Sequence, residues 1–134
     1  MGSKLSIIVF SGTTDKILSA GVLSQAAAAM GSEVNIFVTF WGLLSFTKGE
    51  KKMMLPKEFE HMGQAMMEGM AREHVKPWYE MIKEAKEFGA KVYACSMACG
   101  VMGIKREDLD PIVDDMVGAA YFLQQAEGGQ TLFI

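Results

Sequence analysis

The chain reads as an α/β fold, a three-layer sandwich in which helices cover both faces of a central, mainly parallel sheet of about five strands. Three observations carry this. Residues 5–10 and 33–40 are apolar almost throughout rather than alternating, which is how strands buried on both faces read. Stretches of helical period separate these runs, and glycine or proline punctuates the joints. Strands alternating with helices favour a parallel sheet built from right-handed βαβ units.

Each element follows in order. Residues 5–10 are β-branched and apolar and end in the small polar turn Ser11-Gly12-Thr13-Thr14-Asp15. A helix is expected over residues 15–30, with Ile17, Leu18, Val22, Leu23 and Ala26 on its apolar face, Thr14 or Asp15 as N-cap and Gly31 as its stop. Residues 33–40 form the second strand, and Trp41-Gly42-Leu43-Leu44 leads into a long connection. There Lys48-Gly49-Glu50-Lys51-Lys52 reads as a solvated loop tip, and Pro56 bars a helix interior.

Residues 59–73 are rich in methionine and carry two glycines, so a loose or broken helix is expected. Its Met62, Met66, Met67 and Met70 recur at helical spacing, which favours packing in the core or between subunits over a partner surface or a Cu(I) site. Pro77 is placed at the first position of a helix over residues 78–88, with Met81, Ile82 and Ala85 inward and Gly89 at its end. Residues 90–94 form the third strand, with Cys95 at its carboxyl end, and residues 96–102 a turn or short helix. A short helix over 109–115, capped by Asp108, precedes a brief strand at 116–118. A helix over 119–126 and a last strand at 131–134 complete the chain.

The 134 residues fit one domain spanning 1–134. A net charge of −3, with no basic stripe among aromatics, argues against nucleic acid as a partner. No apolar run approaches the ~20 residues of a membrane helix, and no signal segment is visible, so a cytoplasmic protein is expected. Two cysteines four positions apart in a reducing compartment suggest thiol chemistry or a buried pair before a structural disulfide.

Four segments then resemble the DsrE/DsrF/DsrH-like sulfur-relay family, whose members are often labelled peroxiredoxin-like. They are Phe10-Ser11-Gly12-Thr13-Thr14-Asp15-Lys16, Ala26-Ala27-Ala28-Ala29-Met30-Gly31, Ile36-Phe37-Val38-Thr39-Phe40-Trp41-Gly42-Leu43, and Ala94-Cys95-Ser96-Met97 with Val101-Met102-Gly103-Ile104. The resemblance implies a DsrE-like sheet of flavodoxin-like topology and assembly as a homo-oligomer. It also implies a cysteine, Cys95 here, that accepts sulfane sulfur as a persulfide or thiosulfonate and passes it to a partner such as a TusA-type carrier. Whether that makes the chain a sulfurtransferase or a stoichiometric carrier stays open. Relatives commonly show Ser-Met where this chain has Ala98-Cys99, so Cys99 is either an auxiliary thiol or core packing.

The physical reading supports the same region. In open α/β sheets chemistry gathers outside the carboxyl ends of the strands. Cys95 lies there, as do Ser11, Gly12, Thr13, Thr39 and Trp41. With Ser96 and Met97 these are the expected substrate-binding residues. A helix N-terminus favours a thiolate by supplying partial positive charge, and its backbone N–H groups hold anionic sulfur species.

Other chemistries fit less well. Cys95, Cys99, His61 and His74 match no ordinary zinc spacing, so no metal is expected. No dinucleotide or Walker-type glycine motif follows the first strand, so no cofactor is expected. Two alternatives to sulfur relay stand: a non-catalytic oligomeric binding protein using its Met-rich segment, and a peroxidase-like thiol enzyme with Cys99 as resolving thiol.

Overall fold

In the computed structural model, which describes residues 3–134, five parallel strands form one sheet. They are β1 (Lys4–Val9), β2 (Glu33–Val38), β3 (Lys91–Cys95), β4 (Asp115–Val117) and β5 (Gln130–Phe133). Their order is β4-β3-β2-β1-β5. The chain steps from β1 out to one edge at β4, then crosses back to set β5 on the far side of β1. A flavodoxin-like sheet of order 2-1-3-4-5 reverses after β2. Here the reversal comes after β4, so the turning-point crevice opens beside β1.

Right-handed crossovers decide the layers. α1 (Thr14–Ala29) and α4 (Trp78–Glu87) pack against each other over one face. The return connection puts α6 (Ala119–Ala126) over β1 and β2 on the other. Strand alternation separates the two cores: Ile36 and Val38 are fully buried towards α1 and α4, while Phe37 stacks on Phe122 of α6 at 4.7 Å.

Three departures have physical causes. Residues 40–44 form a short helix, α2 (Phe40–Leu44), rather than the start of a loop. Phe40 enters it with φ of +45°, a conformation that costs a non-glycine residue about 1–3 kcal/mol and turns the chain across the end of β1. The expected helix over 109–115 does not form. A 3₁₀ turn at Arg106–Asp108 replaces it, and the Asp110 carboxylate accepts the Ile112 N–H, which takes that donor out of any helical ladder. The methionines of the third helix, α3 (Gly63–Arg72), do not enter the core: no residue of α3 is buried, and Met67 is 58% exposed.

Two glycines seat α2. A Cβ on Gly42 would stand 2.5 Å from the Val9 carbonyl oxygen, and one on Gly12 would stand 2.7 Å from that of Trp41. Both obstacles are backbone and cannot swing away. Gly42→Ala is therefore expected to cost about 1–3 kcal/mol, as overpacking does, seen as a lower urea midpoint at unchanged slope. An unchanged midpoint would show that α2 is not held against β1.

Candidate functional site

Cys95 ends β3 and is the N-cap of α5 (Ser96–Met102), with extended dihedrals of φ −71° and ψ 115°. The parallel strand therefore delivers its last side chain to the point where α5 presents unpaired backbone N–H groups. Neighbours follow from register. Val117 of β4 pairs with Cys95, and Thr39 lies one residue beyond the Val38–Ala94 pair. Strand alternation puts Cys95 on the same face as Tyr93, whose ring meets Tyr121 of α6 edge-on at 5.6 Å.

Cys95 is 4% exposed and Cys99 1%, so both thiols are covered rather than set in the partly open position expected of a reactive turn cysteine. Burial pushes the Cys99 thiol up, and the adjacent Cys95 pushes it the same way against a weaker pull from Arg106. The outer side of α5 differs: Ser96 is exposed, Met97 is 62% exposed and Val101 70%.

The other expected site residues lie elsewhere. Ser11, Gly12 and Thr13 after β1, with Trp41 on α2, line a cleft of about 860 Å³. Thr39, Ser96 and Met97 are not among its walls, and neither cysteine is. α2 stands between the two places: it packs against α5 and β3, while its Trp41 and Leu44 face the cleft. The expected residues thus divide into a thiol site at β3 and a cleft at β1.

The cleft depends on residues that no local spacing marks. Lys51 is not at a solvated tip. Its ammonium pairs at 2.9 Å with Asp110, which is 6% exposed, and Tyr79 donates its hydroxyl to the same carboxylate at 2.6 Å. Burial alone would push the Asp110 carboxyl up. The Tyr79 hydroxyl, the Ile112 N–H and Lys51 together hold it below its ordinary value. Burial, then the bond to Asp110, pushes the Tyr79 phenol up to about 12. Further along, Met54 pairs by backbone with the first turn of α1: Thr14 N–H donates to its carbonyl at 2.6 Å, and its own N–H donates to Thr14 Oγ1 at 2.7 Å. The loop is thereby tied down at both ends of the cleft wall. Within the sequence Lys51 looks like one member of a charge run, and its partner is 59 positions away by subtraction of the two residue numbers.

His61, His74 and the two cysteines do not converge. Among the described residues no group of three or more His, Cys, Asp or Glu side chains is placed to hold a metal ion, and no helix is long and apolar enough to cross a membrane.

Comparison with known proteins identifies the family and the fold. The model of the DsrE/DsrF/DrsH-like family matches residues 2–69 and 45–134. The uncharacterized protein YrkE of Bacillus subtilis is 32% identical, over 98% of this chain and 96% of its own. The sulfur carrier protein DsrE2 of Allochromatium vinosum is 28% identical, over 98% of each. Among solved structures, MTH1491 of Methanobacterium thermoautotrophicum superposes with a TM-score of 0.64 at 14% identity, covering 98% of this chain and 99% of that one. The ychN protein of E. coli gives 0.64 at 11% identity, covering 98% and 97%.

Proposed function

The chain belongs to the DsrE/DsrF/DrsH-like family, and on that footing we propose that it relays sulfur through Cys95. The Cys95 thiolate attacks the sulfane sulfur of a persulfide donor. A Cys95–S–SH forms and the donor leaves as a thiolate. A partner thiol then takes the outer sulfur and Cys95 is restored. The observation that carries this reading is the position of Cys95 at the N-cap of α5, where backbone N–H groups favour an anionic sulfur species. Ser96 and Met97 supply that first turn, and Thr39, the residue after β2, lies one position beyond the Val38–Ala94 pair.

Burial shapes the exchange. Cys95, a residue only 4% exposed, admits a small donor more readily than a protein thiol, so delivery to a TusA-type carrier requires α5 to move. The exposed Met97 and Val101 on that helix suit an apolar contact with such a carrier. The test is mass spectrometry after incubation with inorganic polysulfide: one or more sulfur atoms should be found on Cys95. A chain that stays unmodified at Cys95 while a known persulfide protein loads would sink the reading. Cys99→Ser should still load, because a buried thiol whose ionisation is pushed up is a poor acceptor. Loading lost in that variant, with the fold retained, would make Cys99 the working thiol.

One observation favours a second, oligomeric reading. Met62, Met67, Met53 and Met54 all stay exposed on and beside α3, and Tyr121 and Leu123 stay exposed on α6. Exposed apolar surface of this extent suits contact between copies of the chain. Light scattering would give the assembly, and Met66→Gln with Met67→Gln should shift it towards the monomer while Cys95→Ser should not.

A further inference from the structure

We propose that the cleft beside β1 is a second binding site, separate from Cys95, for a ring-bearing organic monoanion. Its size, about 860 Å³, lies in the range of small-molecule pockets. It lies beyond the carboxyl end of β1, the end of the sheet at which open α/β folds bind ligands.

The walls select the ligand. Trp41 and Phe59, 55% and 53% exposed, give it apolar aromatic surface suited to a ring. The charge follows from the mouth. Lys51 is already paired with Asp110. Among the described residues, Lys16, Lys48 and Lys52 make no ion pair, and all three border the cleft. Glu50 and Glu58 share the rim, which excludes a spread-out polyanion and favours a single anionic group set among the lysines. The glycine beside the cleft is not part of this selection, since Gly12 is needed for the approach of Trp41.

The chain offers its own reporter, because its 2 tryptophans, Trp41 and Trp78, both line this cleft. The probe is 8-anilinonaphthalene-1-sulfonate, which has rings and one sulfonate. It should bind at one equivalent per chain and take up tryptophan emission. Replacing Lys16, Lys48 and Lys52 together by Ala should weaken that binding by at least about tenfold, since all three are surface residues whose loss leaves the fold intact. Met62→Gln with Met67→Gln, on the exposed arm, should leave it unchanged. Indole-3-acetate should displace the probe at least about tenfold better than indole, which lacks the anion, or inorganic phosphate, which lacks the ring. Binding that survives the lysine triple variant, that is lost instead in the methionine variant, or that indole or phosphate displaces as well as indole-3-acetate does, would overturn the proposal.

Discussion

Cys95→Ser is expected to abolish sulfur loading and transfer while leaving the fold in place. A serine hydroxyl is not ionised at neutral pH and forms no persulfide, so the exchange has no acceptor. The substitution is small in volume, and it places an oxygen at a helix N-cap, where a hydroxyl accepts backbone N–H groups. Stability should therefore change by no more than about 1 kcal/mol. The paired measurement is mass spectrometry for bound sulfur and urea unfolding on the same sample. Loading equal to the parent chain would remove Cys95 from the mechanism. Loading lost together with the cooperative transition would point to packing, which the Cys99→Ser variant then separates, since Cys99 is the deeper of the two.

Asp110→Ala should produce the largest loss of stability outside the hydrophobic core. Asp110 accepts from Tyr79 at 2.6 Å, from Lys51 at 2.9 Å and from the Ile112 N–H at 3.0 Å. Removing the carboxylate leaves a hydroxyl, an ammonium and an amide without their partner. Unpaired buried groups of this kind cost about 2–4 kcal/mol together, with Lys51 at the low end because its side chain is 19% exposed and can turn to water.

The pH dependence has a definite sign. The folded carboxyl is held below its ordinary value of 3.8, so the unfolded chain binds the proton more readily. The contribution is present in full above that value and is lost as pH falls below it through the folded value. Asp110→Asn should flatten this acid limb while retaining part of the hydrogen bonding. A parent and an Asn variant that unfold in parallel between pH 5 and pH 2, roughly the window in which such carboxylates titrate, would show that the Lys51–Asp110–Tyr79 cluster does not hold the loop. Because the same cluster carries the lysine-bearing wall of the cleft, Asp110→Ala should also loosen ligand binding there.

How much was legible in the chain depends on the range of the interaction concerned. The apolar runs before Ser11 and before Thr39, the helix ended by Gly31 and the helix over 119–126 are local signals, and each forms within a residue or two of where its pattern lies. Met62, Met66, Met67 and Met70 show the limit. Their spacing is helical and α3 is helical, yet periodicity says only that residues share a face and not what covers it. The stretch at 109–115 shows a second limit, because a single side-chain bond from Asp110 outweighed a weak helical pattern.

From the residues alone came the α/β class with a parallel sheet, the family resemblance and the location of Cys95 at a strand end, because strand burial, helix periodicity and punctuation are short-range properties. Only the tertiary structure decided the strand order, the burial of both thiols, the pairing of Lys51 with Asp110 and the division of the expected site residues between Cys95 and the cleft at β1. Those depend on which strand lies beside which, and on contacts such as Lys51 with Asp110 that bring distant positions together. No local pattern encodes such pairs, since a close approach between distant residues is a property of packing and not of spacing.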